Sequence, residues 1–106
     1  MDSPINPAAV FDIFSIRNDG GIDTVIVCSG ALDNSAATLR NLDLKVRNYL
    51  CEITSDNFTQ QYGSGPVRIF VSCSHSVSVE AEQLINDLAN MAAQQRIFLL
   101  LGDPVA

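Results

Sequence analysis

Hydrophobic residues recur along this chain with two different periods, and each change of period marks a new element. Residues 10–17, V-F-D-I-F-S-I-R, are dense in β-branched and aromatic side chains and predict a strand. N-D-G-G follows, residues 18–21, and its glycines supply the positive φ angles that a tight hairpin turn demands. The second strand is I-D-T-V-I-V-C-S, residues 22–29. Leu39, Leu42, Val46, Tyr49, Leu50 and Ile53 then recur at spacings of three and four. They predict one apolar stripe on an amphipathic helix of about 18 residues, capped by Asp33, Asn34 or Ser35. Residues 67–73, V-R-I-F-V-S-C, return to a period of two, with Val67, Ile69, Val71 and Cys73 on one apolar face. Ser76 or Ser78 can cap a second helix, whose first turn holds Glu80 and Glu82 where the helix dipole favours acid. Its stripe is Ala81, Leu84, Ile85, Leu88, Met91 and Ala92. I-F-L-L-L, Ile97–Leu101, predicts a short buried strand that G-D-P stops.

Two segments lack a period. Residues 1–7 contain Pro4 and Pro7, which cannot donate to a ladder, and read as an extended arm. Residues 55–66 read as a long polar loop that carries Phe58 and Tyr62, with G-S-G-P, residues 63–66, as a turn. That G-S-G-P lacks the lysine and following helix of a phosphate loop.

The order is therefore β-β-α-β-α-β in a single domain spanning residues 1–106, of α/β (α+β) class. Strands joined through helices pair in parallel and cross over right-handedly. The expected architecture is a two-layer sandwich: a four-stranded mixed sheet with two helices mainly on one face. The other face is left bare, although strands one and two are apolar on both sides. A bare apolar face of that size is expected to be an interaction surface, with a second copy of the chain as its simplest partner.

Composition narrows the partners. Twelve acidic residues against six basic ones give a net charge of −6 in 106 residues, and Lys45 is the only lysine. Arg40, Lys45 and Arg47 form the one basic cluster, read as a solvated helix face, so no nucleic-acid partner is expected. No apolar run approaches the ~20 residues of a membrane-spanning helix, and M-D-S-P-I-N-P is not a secretory signal. The expectation is a cytoplasmic protein without a membrane partner. Cys28, Cys51 and Cys73 are odd in number, widely spaced and read as reduced thiols.

Residues 25–35, V-I-V-C-S-G-A-L-D-N-S, carry a resemblance that, with the D-G turn before them, the N-Y-L helix end and the later I-L-L-type strand, covers roughly residues 5–101. They are similar to the hairpin-to-helix signature of a small uncharacterised bacterial α/β domain family, in which the second strand runs into S-D-H-L-D-W. Ser29, Leu32 and Asp33 match that pattern; Gly30, Ala31 and Asn34 depart from it and lose the acid, the histidine and the tryptophan. The resemblance implies a bacterial source, this fold and a strand-to-helix site to watch, but no activity.

V-S-C-S-H-S, residues 71–76, poses the chemical question, since it holds the chain's single histidine beside a thiol. If strands two and three are parallel neighbours, Cys28, Cys73, His75 and Asp33 gather at the carboxyl edge of the sheet, where α/β proteins bind ligands. Cys73 with His75 can act as a nucleophile pair, or Cys28, Cys73, His75 and Asp33 can ligate zinc; Asp33 can by itself be a general base, although a capping role explains it more simply. Yet Cys73 also continues an apolar strand face, and free cysteine is among the most buried residues. No metal-ligand spacing and no second histidine accompany it. The expected function is therefore a non-enzymatic protein-interaction module of regulatory, adaptor or immunity type, without cofactor, homodimeric or bound to another protein. Its candidate contact residues are Phe14, Phe70, Phe58 and Tyr62. The alternatives are the thiol-histidine enzyme or metal site, or a small-ligand sensor at that edge closed by residues 55–66.

Overall fold

The hairpin forms as its turn chemistry predicts. In the computed structural model, which describes residues 13–18, 20–63 and 65–102, strands β1 (Ile13–Ile16) and β2 (Ile22–Val27) pair antiparallel. Arg17 N–H donates to the Gly21 carbonyl at 2.7 Å and Gly20 N–H to the Arg17 carbonyl at 3.0 Å. Gly20 takes φ of 86°, a left-handed conformation costly for any residue with a Cβ. The expected arm at residues 1–7, the start of the first strand and residues 103–106 lie outside the described residues.

The remaining elements are α1 (Ala36–Ile53), α2 (Asp56–Tyr62), β3 (Val67–Ser72), α3 (Val79–Ala93) and β4 (Ile97–Leu101). Together they make an α+β fold with a four-stranded mixed sheet in the order β1-β2-β3-β4. β3 runs parallel to β2, with Ile22 beside Val67, and parallel to β4, with Val67 beside Ile97. Ile22, Ile26, Ile69 and Val71 are fully buried. They share one core with Leu42, Val46 and Ile53 of α1 and with Ile85, Leu88 and Ala92 of α3. Burying each such side chain stabilises the fold by about 1.5–3 kcal/mol. Tyr49 of α1 adds a directional tie, its buried hydroxyl donating to the Val25 carbonyl at 3.2 Å. Because side chains alternate along a strand, Val25, Phe70 and Leu100 project to the opposite face, and none of them belongs to this core.

Two sequence-based expectations are corrected. Among the described residues there are three helices, not two, because residues 56–62 of the expected loop are helical. Ser55 caps α2 by accepting the Phe58 N–H, and Gly63, at φ of 82°, ends it. Phe58 and Tyr62 lie four apart and therefore share a helix face, but one such pair is too short a pattern to show a period. The second correction is Lys45, which is fully buried instead of solvated. Thr38, Leu42, Lys45 and Tyr49 follow the 4-3-4 spacing of a buried stripe, and the Lys45 ammonium lies 5.3 Å from the Tyr49 ring centroid. A lysine on such a stripe packs its four methylenes like an apolar residue while the ring faces the charge.

A charged clasp ties β1, β2 and β3 together on the face away from the core. Asp23 accepts a fork from Arg68, with Nε to Oδ1 and Nη2 to Oδ2 both at 2.7 Å, and Arg17 Nη1 lies 3.5 Å from Oδ1. Asp23 and Arg68 are register neighbours, so the sheet itself aligns the two partners. Paired geometry of this kind is worth more than an exposed ion pair. Asp23→Ala is expected to lower unfolding stability by about 2 kcal/mol in urea titrations, the scale of a charged hydrogen bond, with no change in the denaturant slope.

Candidate functional site

Cys28 and Cys73 do lie at one edge, because β2 and β3 are parallel neighbours whose carboxyl ends coincide. At this edge the backbone pairing continues beyond the strand ends. Cys28 N–H donates to the Ser72 carbonyl at 3.0 Å, Leu32 N–H to Ser76 at 2.9 Å, and Ser78 N–H to Leu32 at 2.7 Å. Leu32 and Val77 form a further parallel bridge beyond the strand ends, and Leu32 is buried there. Both crossovers progress the same way across the sheet, so there is no reversal of strand order to open a ligand crevice.

The side chains follow this pairing. Cys28 is buried in the core, Cys73 is half-buried, and His75 is exposed. Cys73 Sγ meets two carbonyl oxygens, Gly30 at 3.6 Å and His75 at 3.5 Å, so its contact with His75 is to the backbone and not to the imidazole. Among the described residues, no group of three His, Cys, Asp or Glu side chains is placed to hold a metal ion. The helix starts nearby are capped from within the chain: Ser35 accepts Thr38 N–H, and Ser78 accepts Ala81 N–H. Asp33 accepts the Ser35 N–H at 3.0 Å. Hydrogen bonds from the Ser35 side chain, then from Thr38 and the Ser35 backbone, hold its carboxyl below the ordinary aspartate range.

The candidate contact residues separate into two places. Phe14, Phe58 and Tyr62 pack on one another, with centroids 6.0 Å apart for Phe14–Phe58, 4.8 Å for Phe14–Tyr62 and 4.9 Å for Phe58–Tyr62. Such edge and tilted pairs favour one another beyond their buried area. Phe70 lies on the opposite sheet face, buried, with the Arg68 guanidinium 5.2 Å from its ring centroid. Around it stand exposed apolar residues: Ile13 at 50% exposure, Val27 at 44%, Phe98 at 57% and Leu100 at 43%. Alternation along the strands puts all four on that one face.

One feature of the surface was not foreseen. A cleft of about 780 Å³ opens at the amino ends of the parallel strands, lined in part by Phe58, Val67, Arg96, Ile97 and Phe98. Residues 55–66 enter β3 and so lie at this end, opposite the carboxyl edge they were expected to close. Arg96 adopts φ of 60°, the left-handed position that glycine usually takes after a helix. No helix among the described residues is long and apolar enough to cross a membrane.

Thiol labelling of the native chain is expected to run fastest at exposed Cys51, more slowly at Cys73, and at Cys28 only on unfolding. Rapid native labelling of Cys28 would contradict its burial in the core. An NMR titration should place the Asp33 midpoint below the ordinary 3.8. Since a depressed carboxyl stabilises the fold above its unfolded value, that contribution is lost only as pH falls through the lower folded value. Asp33→Asn should remove this part of the acid-side dependence.

No family model matches the chain, and no curated protein or solved structure matches it.

Proposed function

We propose that this domain is a two-layer sandwich that acts as a non-enzymatic protein-interaction module, of regulatory, adaptor or immunity type. In this reading the helices cover one face of the sheet, and the other face meets a polypeptide partner. The observation that carries it is the set Ile13, Val27, Phe98 and Leu100, large apolar side chains exposed together around buried Val25 and Phe70. Such a patch costs free energy in water and gains it back under a partner. The clasp of Asp23, Arg68 and Arg17 borders the same face and offers a polar rim. By contrast, Cys73 and His75 form no side-chain pair that would carry acyl or metal chemistry.

A photo-activatable residue at Phe98 is expected to form covalent polypeptide adducts in the cells that make the protein. The same residue at exposed Glu82 of α3 should form few. Equal adduct yields at both positions would overturn the reading.

The cleft supports a second reading, a sensor for a small apolar ligand with an anionic group, held by Phe58, Val67 and Ile97 with Arg96 at the rim. A medium-chain carboxylate should then raise the thermal midpoint by mass action. Arg96→Gly should abolish that shift while raising basal stability by about 1 kcal/mol, through relief of the left-handed strain. An unchanged midpoint in the wild type would exclude this class of ligand.

A further inference from the structure

From the edge of β4 we infer that the partner is a second copy of this chain, joined by antiparallel pairing of β4 with itself. This rests on the reading that the domain works by binding a polypeptide, and it adds a contact along the β4 edge that leaves the helix-free face of Ile13 and Val27 open. β4 closes the sheet on one side, and no described strand lies beyond it. Gly102 N–H donates to the Val71 carbonyl at 2.9 Å, which fixes the direction of the backbone along the strand. By alternation Phe98 and Leu100 also point their N–H and C=O groups at β3, while those of Ile97, Leu99 and Leu101 point outward. The outward groups form a template for another strand.

Natural edges are blunted by charge, proline, bulges or inward-pointing polar residues. Ile97–Leu101 reads I-F-L-L-L and contains none of these residues, and its register with β3 is unbroken over all five positions. A copy paired about a two-fold axis at Leu99 brings Leu99 against Leu99, Ile97 against Leu101 and Phe98 against Leu100. Every one of those pairs is apolar. The outward-pointing residues then become the hydrogen-bonded pairs, making about six new bonds. Phe98 and Leu100 meet on the helix-free face, and partly exposed Leu101 is covered beside the buried Ile97 of the other copy.

The axis runs perpendicular to the sheet, so the two apolar faces become one continuous face of an eight-stranded sheet. At the ends of the pairing Arg96 of each copy lies opposite Gly102 of the other. A five-residue edge is small against the roughly 1,200–2,000 Å² of a standard interface, so dissociation is expected in the micromolar range. With −6 on each copy, added salt should tighten the pairing by screening repulsion.

Sedimentation equilibrium of the full chain from about 1 to 300 μM tests this, alongside amide exchange. The expected result is a mass rising toward two chains, with the amides of Leu99 and Leu101 gaining protection as concentration rises. Phe98→Lys alone, and Leu100→Glu alone, should each weaken association at least tenfold. Both are at exposed positions, so the fold survives. The two together should restore association, because each substituted position then faces its opposite charge across the axis. A mass of one chain at 300 μM overturns the inference, and so does a dimer that both single variants leave unchanged. In the first case a photo-adduct of Phe98 with some other polypeptide would show that the interaction reading survives the loss of the self-pairing. If no adduct forms either, both fall.

Discussion

Because β3 hydrogen-bonds β2 on one side and β4 on the other, its six residues must satisfy two ladders and two faces at once. Odd-numbered positions Val67, Ile69 and Val71 send side chains into the core, and even-numbered Arg68 and Phe70 send theirs to the other face. Arg68 meets Asp23 there because the parallel register makes them neighbours. The same register brings the carboxyl ends of β2 and β3 level, and hence Cys28 near Ser72. Slipping it by one residue would turn every one of these side chains to the wrong face.

From this central strand follow both the closure of one edge and the openness of another. At the carboxyl end of β2 and β3 the pairing does not stop with the strands; it continues through Leu32, Ser76 and Ser78 and seals the gap between the helix starts. Backbone bonds and the buried Leu32 lie between the polar residues gathered at that edge. At β4 the opposite holds, since the last ladder has one side satisfied and the other facing out. Among the described residues, an apolar strand with one side open lies there beside exposed apolar side chains.

Much of the fold was legible. The helices α1 and α3 and the strand β4 follow from apolar spacing, and the hairpin follows from its turn glycines, because these are local preferences reinforced by a single buried face. The shared edge of Cys28 and Cys73 was legible too, as a consequence of parallel neighbours. Less legible was α2, whose only apolar signal is Phe58 and Tyr62 and whose aromatic faces find their third member, Phe14, more than forty residues earlier in the chain. Lys45 misleads for a related reason: its charge argues for solvent, while its place between Leu42 and Tyr49 puts it in the core.

The sequence by itself determined the four strands and the helices α1 and α3, and that the first two strands carry apolar residues on both sides, since periodicity and turn chemistry act within a few residues. Only the tertiary structure decided that Lys45 is buried, that Leu32 closes the edge beside Cys73, and that residues 55–66 lie at the far end of the sheet. It also decided which backbone groups of β4 face β3 and which face away from it. Those outcomes depend on strand order and register, which arise from contacts between residues distant in the chain and leave no local period to read.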